Sequence, residues 1–342
     1  MARIRPPEAG KTRAGIHDVA AAAGVSVVTV SRAFNAPDKV SARTRQKIDE
    51  AIRRIGYVPD LVARSLVSRR SRVIAACVPT FVLSDIPSCM QGLSDVITRE
   101  GFQLLLGSTS FSAEQEATMV AAMLGRRPDG LVLTGTDHAP EVRTLLRQAG
   151  VPVVELLNAR GSAIDMAVGI DNARAVQAMT GHLCRAGYRR IAFGSRSTSG
   201  NDRARARRQG YLAALKQARI KPDPDLIFEI DGSSTSGAEV VTKLTTRGTR
   251  VDAIVFTGDA PAVGAYLRCQ ALGLKVPGDI ALAGLGNHEL SRLIPGGLTT
   301  IGADMYTLGR RAGELLCERL LTGRVATRSV DIGFELILRG SC

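Results

Sequence analysis

The chain has 342 residues, enough for two or three domains, and 45% of them are apolar, which fills real cores and excludes a disordered or fibrous protein. Aromatic residues make up only 4%, with no Trp, so binding surfaces built on stacked aromatic platforms do not dominate. The net charge of +13 is unevenly spread: residues 1–72 carry 15 Lys and Arg against 6 Asp and Glu, and the other 270 residues carry 30 against 26. A basic N-terminal fifth on a nearly neutral body points to a polyanionic partner for that fifth.

No stretch approaches the roughly 18 uncharged apolar residues of a membrane helix. The opening segment Met1 to Glu8 lacks the apolar centre of a signal peptide. A cytoplasmic protein with no membrane partner is expected. Cys77, Cys89, Cys184, Cys269, Cys317 and Cys342 are scattered among apolar neighbours without a Cys-x-x-Cys pair, so buried free thiols are expected. His17, His138, His182 and His288 are not spaced with one another or with a Cys as metal ligands are; no metal and no cofactor are expected.

In chain order, residues 1–14 read as a flexible basic arm rich in Pro, Arg and Lys. An Ala-rich helix over Ile16 to Ala23 is stopped by Gly24, Ser26 caps a second helix through Phe34, and Ser41 caps a third that Gly56 ends. Ile48, Ile52 and Ile55 recur at helical spacing on the third, with Arg43, Arg45, Lys47, Arg53 and Arg54 around them. Three short helices with a tight Gly-containing turn between the first two form the pattern of a helix-turn-helix. From Pro59 to Ser68 a small helix or a linker follows, then Arg69, Arg70 and Arg72.

Beyond it the period changes. Short apolar runs at 73–78, 103–106, 130–133, 151–154, 167–170, 191–193, 227–230, 253–256 and 280–283 mostly alternate with helical segments, the signature of parallel sheets built from βαβ units. The body is large for one doubly wound sheet, so two similar α/β lobes are expected. Ligands of such sheets sit beyond the carboxyl ends of the strands. Those ends carry Thr80, Thr134, Asp171-Asn172, Gly194 to Arg207, Thr257 to Asp259 and Gly286 to His288, a set suited to a hydroxyl-rich small molecule.

The segments 16–26, 29–32 (Thr-Val-Ser-Arg), 40–45 (Val-Ser-Ala-Arg-Thr-Arg) and 55–59 (Ile-Gly-Tyr-Val-Pro) closely resemble the DNA-binding head of the lac-repressor (LacI/GalR) family. Segments 256–265, 273–280 and 298–301 resemble that family's sugar-sensing core, so the resemblance runs from residue 16 over essentially the whole chain. Segments 151–156 and 165–172 resemble, more narrowly, the gluconate-operon repressors within it. The resemblance implies an all-α helix-turn-helix head over 15–58 and a hinge helix or linker over 59–71. It also implies a two-lobed α/β core over 72–342, like periplasmic sugar-binding proteins, with parallel sheets flanked by helices. The first lobe is expected over about 72–171 and 302–326, the second over about 172–301 and 327–340, with crossings near Asp171, Ile301 and Thr327. It further implies a homodimer on pseudo-palindromic operator DNA, tuned by an effector between the lobes.

By position in the resemblance, Val27 and Val28 take the main base-reading places and Arg32 a further one; the valines touch thymine methyls and Arg32 discriminates through guanine. The plainer alternative is that the valines pack in the head's own core. Ser26, Thr29, Ser31, Asn35, Ser41, Arg43 and Thr44 suit phosphate contacts, though each also serves as a simple cap or surface residue. Tyr57 divides between core and backbone contact. Ala63 and Leu66 match the minor-groove contact and the intercalating leucine of the hinge. Asp60 departs from the family's usual Asn.

For the effector, 201–210 matches the family's binding segment. Arg207 falls on its ligand-clamping arginine, and Arg203 lies one turn earlier on the same face, so two guanidiniums can fork a carboxylate or phosphate. Asn201, Asp259, Asn287 and His288, with Thr80, Asp85 and Thr134, complete the candidates. Gly258 and Gly286 stand where the family often has Asn and Asp. The expected effector is a sugar acid, gluconate first, with 2-ketogluconate, 6-phosphogluconate or a neutral sugar as alternatives. The rival reading is a metabolic enzyme or sugar-binding protein carrying a basic head. Against an enzyme, there is no Gly-x-x-x-x-Gly-Lys-Ser/Thr loop and no Gly-x-Ser-x-Gly elbow, and neither Asp259 nor Asp171 has a partnered base at a telling spacing.

Overall fold

The computed structural model describes residues 14–58, 70–81 and 85–342. They fall into two units, one ending at Ser71 and one beginning at Arg72. Most of the expected arm and the hinge, with Ala63 and Leu66, lie outside the described residues.

In the head, α1 (Ile16–Ala23), α2 (Val27–Asn35) and α3 (Ala42–Ile55) surround Val19, Ala20, Val30, Ile48 and Ala51. Ser26 Oγ accepts the Thr29 amide and Ser41 Oγ the Thr44 amide, each at 3.2 Å, which satisfies an orphan donor at each helix start. Gly24 and Gly56 close α1 and α3 in the left-handed region at φ 66° and 67°. The Arg54 guanidinium donates to Ala22 O at 3.0 Å and ties α3 to α1.

The larger unit opens with β1 (Val73–Val78), α4 (Asp85–Arg99), β2 (Gln103–Ser108), α5 (Ala113–Leu124), β3 (Gly130–Thr134), α6 (Pro140–Ala149), β4 (Val153–Asn158) and β5 (Met166–Ile170). It continues with α7 (Asn172–Arg185), β6 (Ile191–Ser195), α8 (Asp202–Gln217), β7 (Ile227–Glu229), α9 (Ser234–Thr246), β8 (Ala253–Phe256), α10 (Asp259–Ala271), β9 (Ala281–Leu285), α11 (Glu289–Leu293) and β10 (Thr299–Gly302). It closes with α12 (Met305–Thr322), β11 (Ser329–Asp331) and β12 (Glu335–Ile337). One sheet runs β11-β5-β4-β3-β1-β2 and the other β12-β10-β9-β8-β6-β7, parallel throughout except for β12 against β10. Every residue of β5, β8 and β9 is buried, as strands covered by helices on both faces must be.

The chain passes from the first sheet to the second after β5, returns between β10 and α12, and crosses again between β11 and β12. The last crossing therefore falls after Asp331, not near Thr327, because Ser329, Val330 and Asp331 pair in parallel with Ala167, Val168 and Gly169. Among the described residues no helix is long and apolar enough to cross a membrane. All six cysteines are free thiols, five of them buried.

Helix pairs on the sheets meet at glycines. A Cβ at Gly309 of α12 would strike the Cys89 carbonyl of α4, and one at Gly210 of α8 would strike the Ala173 carbonyl of α7. The obstacle is backbone, so a methyl forces the helices apart. Gly309→Ala should cost ~2 kcal/mol or more, read as a lower urea midpoint of the core.

Candidate functional site

On the head, α2 presents Val28, which is 59% exposed, and Arg32 one turn later on the same open face. Val27 is instead half-buried against the Val19 and Ile48 core. Val27 thus packs partly in the head's own core, and Val28 stands on the open surface. Ser26, Ser41 and Arg43 are exposed; Thr29 and Thr44 are half-buried at the same helix starts, and Ser31 is half-buried in the middle of α2. Ser26 and Ser41 already serve as caps and their Oγ atoms also meet Thr29 and Thr44 Oγ1 at 2.8 Å. Tyr57 packs on the head core, its ring 6.4 Å from that of Phe34. The Asn35 side chain lies outside the described residues.

In the larger unit the carboxyl ends of both sheets frame a cavity of about 100 Å³. It is lined by Asn201, Arg203, Arg207, Asp259 and His288 of the sequence candidates, with Ser195 and Arg196. Pro79, Phe111, Arg196 and Arg203 also wall an adjoining outer chamber of about 770 Å³. Asn201 caps α8, accepting the Ala204 amide at 3.1 Å, so the first turns of α8 carry Arg203 and Arg207 on one face toward the cavity. Arg207 Nε donates to Asn172 Oδ1 at 2.8 Å and Nη1 to Thr257 O at 3.2 Å. Asn172 in turn donates to Leu157 O at 2.8 Å, which fixes the fork from the other sheet's side.

Arg203 is 12% exposed beside Asp202, Nη1 to Oδ1 3.2 Å; burial pulls its pKa down, and Asp202 and Glu116 oppose that. Arg196 sits 4.0 Å over the Phe111 ring, a cation–π contact across the cleft. Burial lowers its pKa as well, and the nearby Asp231 pulls the other way. Asp259 is committed: Oδ1 accepts the Thr300 hydroxyl at 2.6 Å and Oδ2 the His288 amide at 2.8 Å. A side chain at position 286 would collide with the His288 ring, so Gly286 is what lets His288 reach the cavity wall.

Three candidates stand outside the inner cavity. Thr134 lines the outer chamber and donates to Cys77 O at 3.3 Å. Thr80 is in the lining of neither chamber. Asn287, at φ 56°, accepts from Arg339 at 2.6 Å and faces a different cavity with Arg292 and Glu335. The Asp85 side chain lies outside the described residues. Phe111 was not singled out from sequence, and Asn172, Ser195 and Arg196 only as members of the strand-end segments. For Ser195 and Arg196 the signal was their position directly after the strand at Ile191 to Phe193.

The start of α8 also binds the two sheets together. Asp202 Oδ2 accepts from Thr136 N at 2.9 Å, Thr136 Oγ1 at 2.8 Å and Asn158 Nδ2 at 2.6 Å, and Arg205 pairs with Asp137 at 2.7 Å. Burial would raise the Asp202 pKa; Arg203, Asn158 and Thr136 outweigh it and hold it below the usual carboxylate value.

Behind the outer chamber, His138 is enclosed between Glu116, 3.0 Å from Nδ1, and Glu155, 3.2 Å from Nε2. Burial alone would lower its pKa, but the two carboxylates push it up to about 9. A raised pKa means the folded state holds a proton the unfolded chain releases. The triad should therefore stabilise the core fully below about pH 6.5, with that contribution lost as the pH rises through about 9. His138→Gln should flatten the fall in melting temperature over that window; an unchanged slope would put the stabilising proton elsewhere.

Residues 15–60 match the description of bacterial regulatory proteins of the lacI family, and residues 180–342 that of a periplasmic binding protein-like domain. The HTH-type transcriptional regulator GntR of Escherichia coli strain K12 is 32% identical over 332 residues, 97% of this chain and 99% of that relative. A LacI-family transcriptional regulator from Silicibacter pomeroyi superposes with a TM-score of 0.88 at 29% identity, covering 96% of this chain and 99% of that one. The lac repressor dimer bound to operator and the anti-inducer ONPF shares the fold, with a TM-score of 0.83 at 24% identity over 96% and 99% of the two chains. With an α-helical head and two parallel sheets around a polar cleft, the chain belongs to the lacI family: it is a DNA-binding transcriptional repressor with a ligand-binding core.

Proposed function

We propose that the chain represses a sugar-acid catabolic operon, binding a pseudo-palindromic operator as a homodimer and responding to gluconate held in the cleft. The observation that carries the effector class is charge: Arg196, Arg203 and Arg207 line one cavity whose carboxylate, Asp259, has both oxygens engaged. Three guanidiniums gathered at one cavity suit an anion: a carboxylate gains charge-assisted hydrogen bonds from them that a neutral sugar does not. The narrower resemblance of 151–156 and 165–172 to gluconate-operon repressors, and the likeness to GntR, point the same way.

Size argues about the tail of the ligand. The inner cavity is far below the 300 to 1,000 Å³ usual for ligand sites, so a six-carbon acid anchored at Arg207 extends into the outer chamber. There Glu116, Asp137, Glu229 and Asp231 stand in the wall, which favours a hydroxyl tail over a phosphate. Calorimetric titration with gluconate, 6-phosphogluconate and a neutral hexose tests this order. Gluconate should bind tightest and the hexose not measurably; tight hexose binding would refute the sugar-acid reading.

On the DNA, Val28 and Arg32 are proposed as the base readers and the starts of α2 and α3 as phosphate contacts, with Ala63 and Leu66 in the minor groove. The lac repressor, whose fold the chain shares, is a dimer bound to operator.

A further inference from the structure

Among the described residues, three buried side-chain oxygens have no hydrogen-bond partner: Glu155 Oε1, Thr180 Oγ1 and Ser195 Oγ. Glu155 Oε1 still lies 3.2 Å from the His138 ring, and Thr180 sits inside α7, away from the cleft lining. Ser195 alone of the three lines the effector cavity, while only 5% exposed.

Its position explains the vacancy. Ser195 is the last residue of β6, and its amide and carbonyl face the neighbouring strands, the carbonyl accepting the Ile230 amide at 2.9 Å. By strand alternation its side chain falls on the same face as Ile191 and Phe193, both packed beneath α7 and α8. One residue earlier on that face a Phe fills the core; at 195 the core has ended and the cavity begins. An apolar residue would close this end of the sheet without cost. A hydroxyl there is left enclosed, and an enclosed hydroxyl without a partner is unfavourable unless something else supplies one.

We propose that Ser195 is an effector-binding residue, its Oγ hydrogen-bonding an oxygen of the ligand beside Arg207. Ala204 and Arg207 of α8 line the same cavity of about 100 Å³ as Ser195, so a ligand group that meets the guanidinium there shares the hydroxyl's compartment. Ser195 selects an oxygen-bearing neighbour to the charged group, which suits a hydroxy acid over a plain alkyl carboxylate. This rests on the sugar-acid reading for the ligand class, but the hydroxyl's lack of an internal partner does not.

The test uses Ser195→Ala in the full chain, with two readouts. Without ligand, the melting temperature should stay unchanged or rise, because the methyl removes an unsatisfied oxygen; a fall would mean the hydroxyl has an internal partner and would overturn the proposal. With ligand, the variant should bind gluconate about 3- to 10-fold more weakly than wild type, the worth of one neutral hydrogen bond, and butyrate equally weakly in both proteins. Unchanged gluconate affinity would overturn it. If wild type binds a neutral hexose instead, and Ser195→Ala weakens that binding, the sugar-acid reading fails and Ser195 stands. A wild type that binds none of these would overturn the assignment of Ser195 to an effector.

Discussion

Arg207→Ala should bind operator with wild-type affinity and lose gluconate, by roughly 100-fold or more. That corresponds to ~3 kcal/mol, the scale of truncating one partner of an enclosed charge pair. The fork is held by Asn172 and Thr257 O, so it is oriented before the ligand arrives. Truncation removes charge and orientation together. Arg207→Lys separates them: a point charge that cannot make the planar two-pronged contact should recover only part of the affinity. Asn172→Ala should have an intermediate effect through the guanidinium it positions. Isothermal titration with gluconate reads all three, and a gel shift without ligand reports that the head is intact. An Arg207→Ala protein that binds gluconate normally would remove the carboxylate clamp.

A chain cut to residues 72–342 should lose operator affinity by at least about 1,000-fold. The excess of 15 basic over 6 acidic side chains in residues 1–72 goes with the head, and the remainder carries 30 against 26. Phosphate neutralisation releases counterions, so the logarithm of affinity should fall with the logarithm of salt at a slope of roughly −0.9 for each phosphate contacted. Two heads give a steep line. Arg32→Ala should weaken the preferred operator more than a scrambled one, since a base contact carries sequence information and a phosphate contact does not. A flat salt response in the intact chain would contradict an electrostatic head.

Much of this was legible in the sequence. Gly24, Ser26, Ser41 and Gly56 mark the head's helix ends because caps are local chemistry, decided by the residue and its neighbours. The long buried strands follow from unbroken apolar runs. The edge strands β11 and β12 did not show: three residues each, half-exposed, they carry little apolar signal, and β11's partner lies far away in sequence. The glycine contacts between helices were also hidden, since close backbone approach leaves no periodicity.

The cleft divides in the same way. Arg203 and Arg207 are one turn apart on a single helix, so spacing found them. Asn172 is 35 positions from Arg207, and Arg196 meets Phe111 from across the cleft; only the fold brings these together. Spacing also did not show that Asn287, at a positive φ, accepts a hydrogen bond from Arg339, a partner 52 positions away.

Operator affinity measured at one salt concentration, with and without saturating gluconate and with a neutral hexose as control, tests the coupling of cleft to head most directly. Closure on the acid should change affinity about 5- to 150-fold, the usual span of allosteric coupling, and the hexose should change nothing. Identical affinities with and without gluconate, in a protein that calorimetry shows to bind it, would contradict an effector role for the cleft.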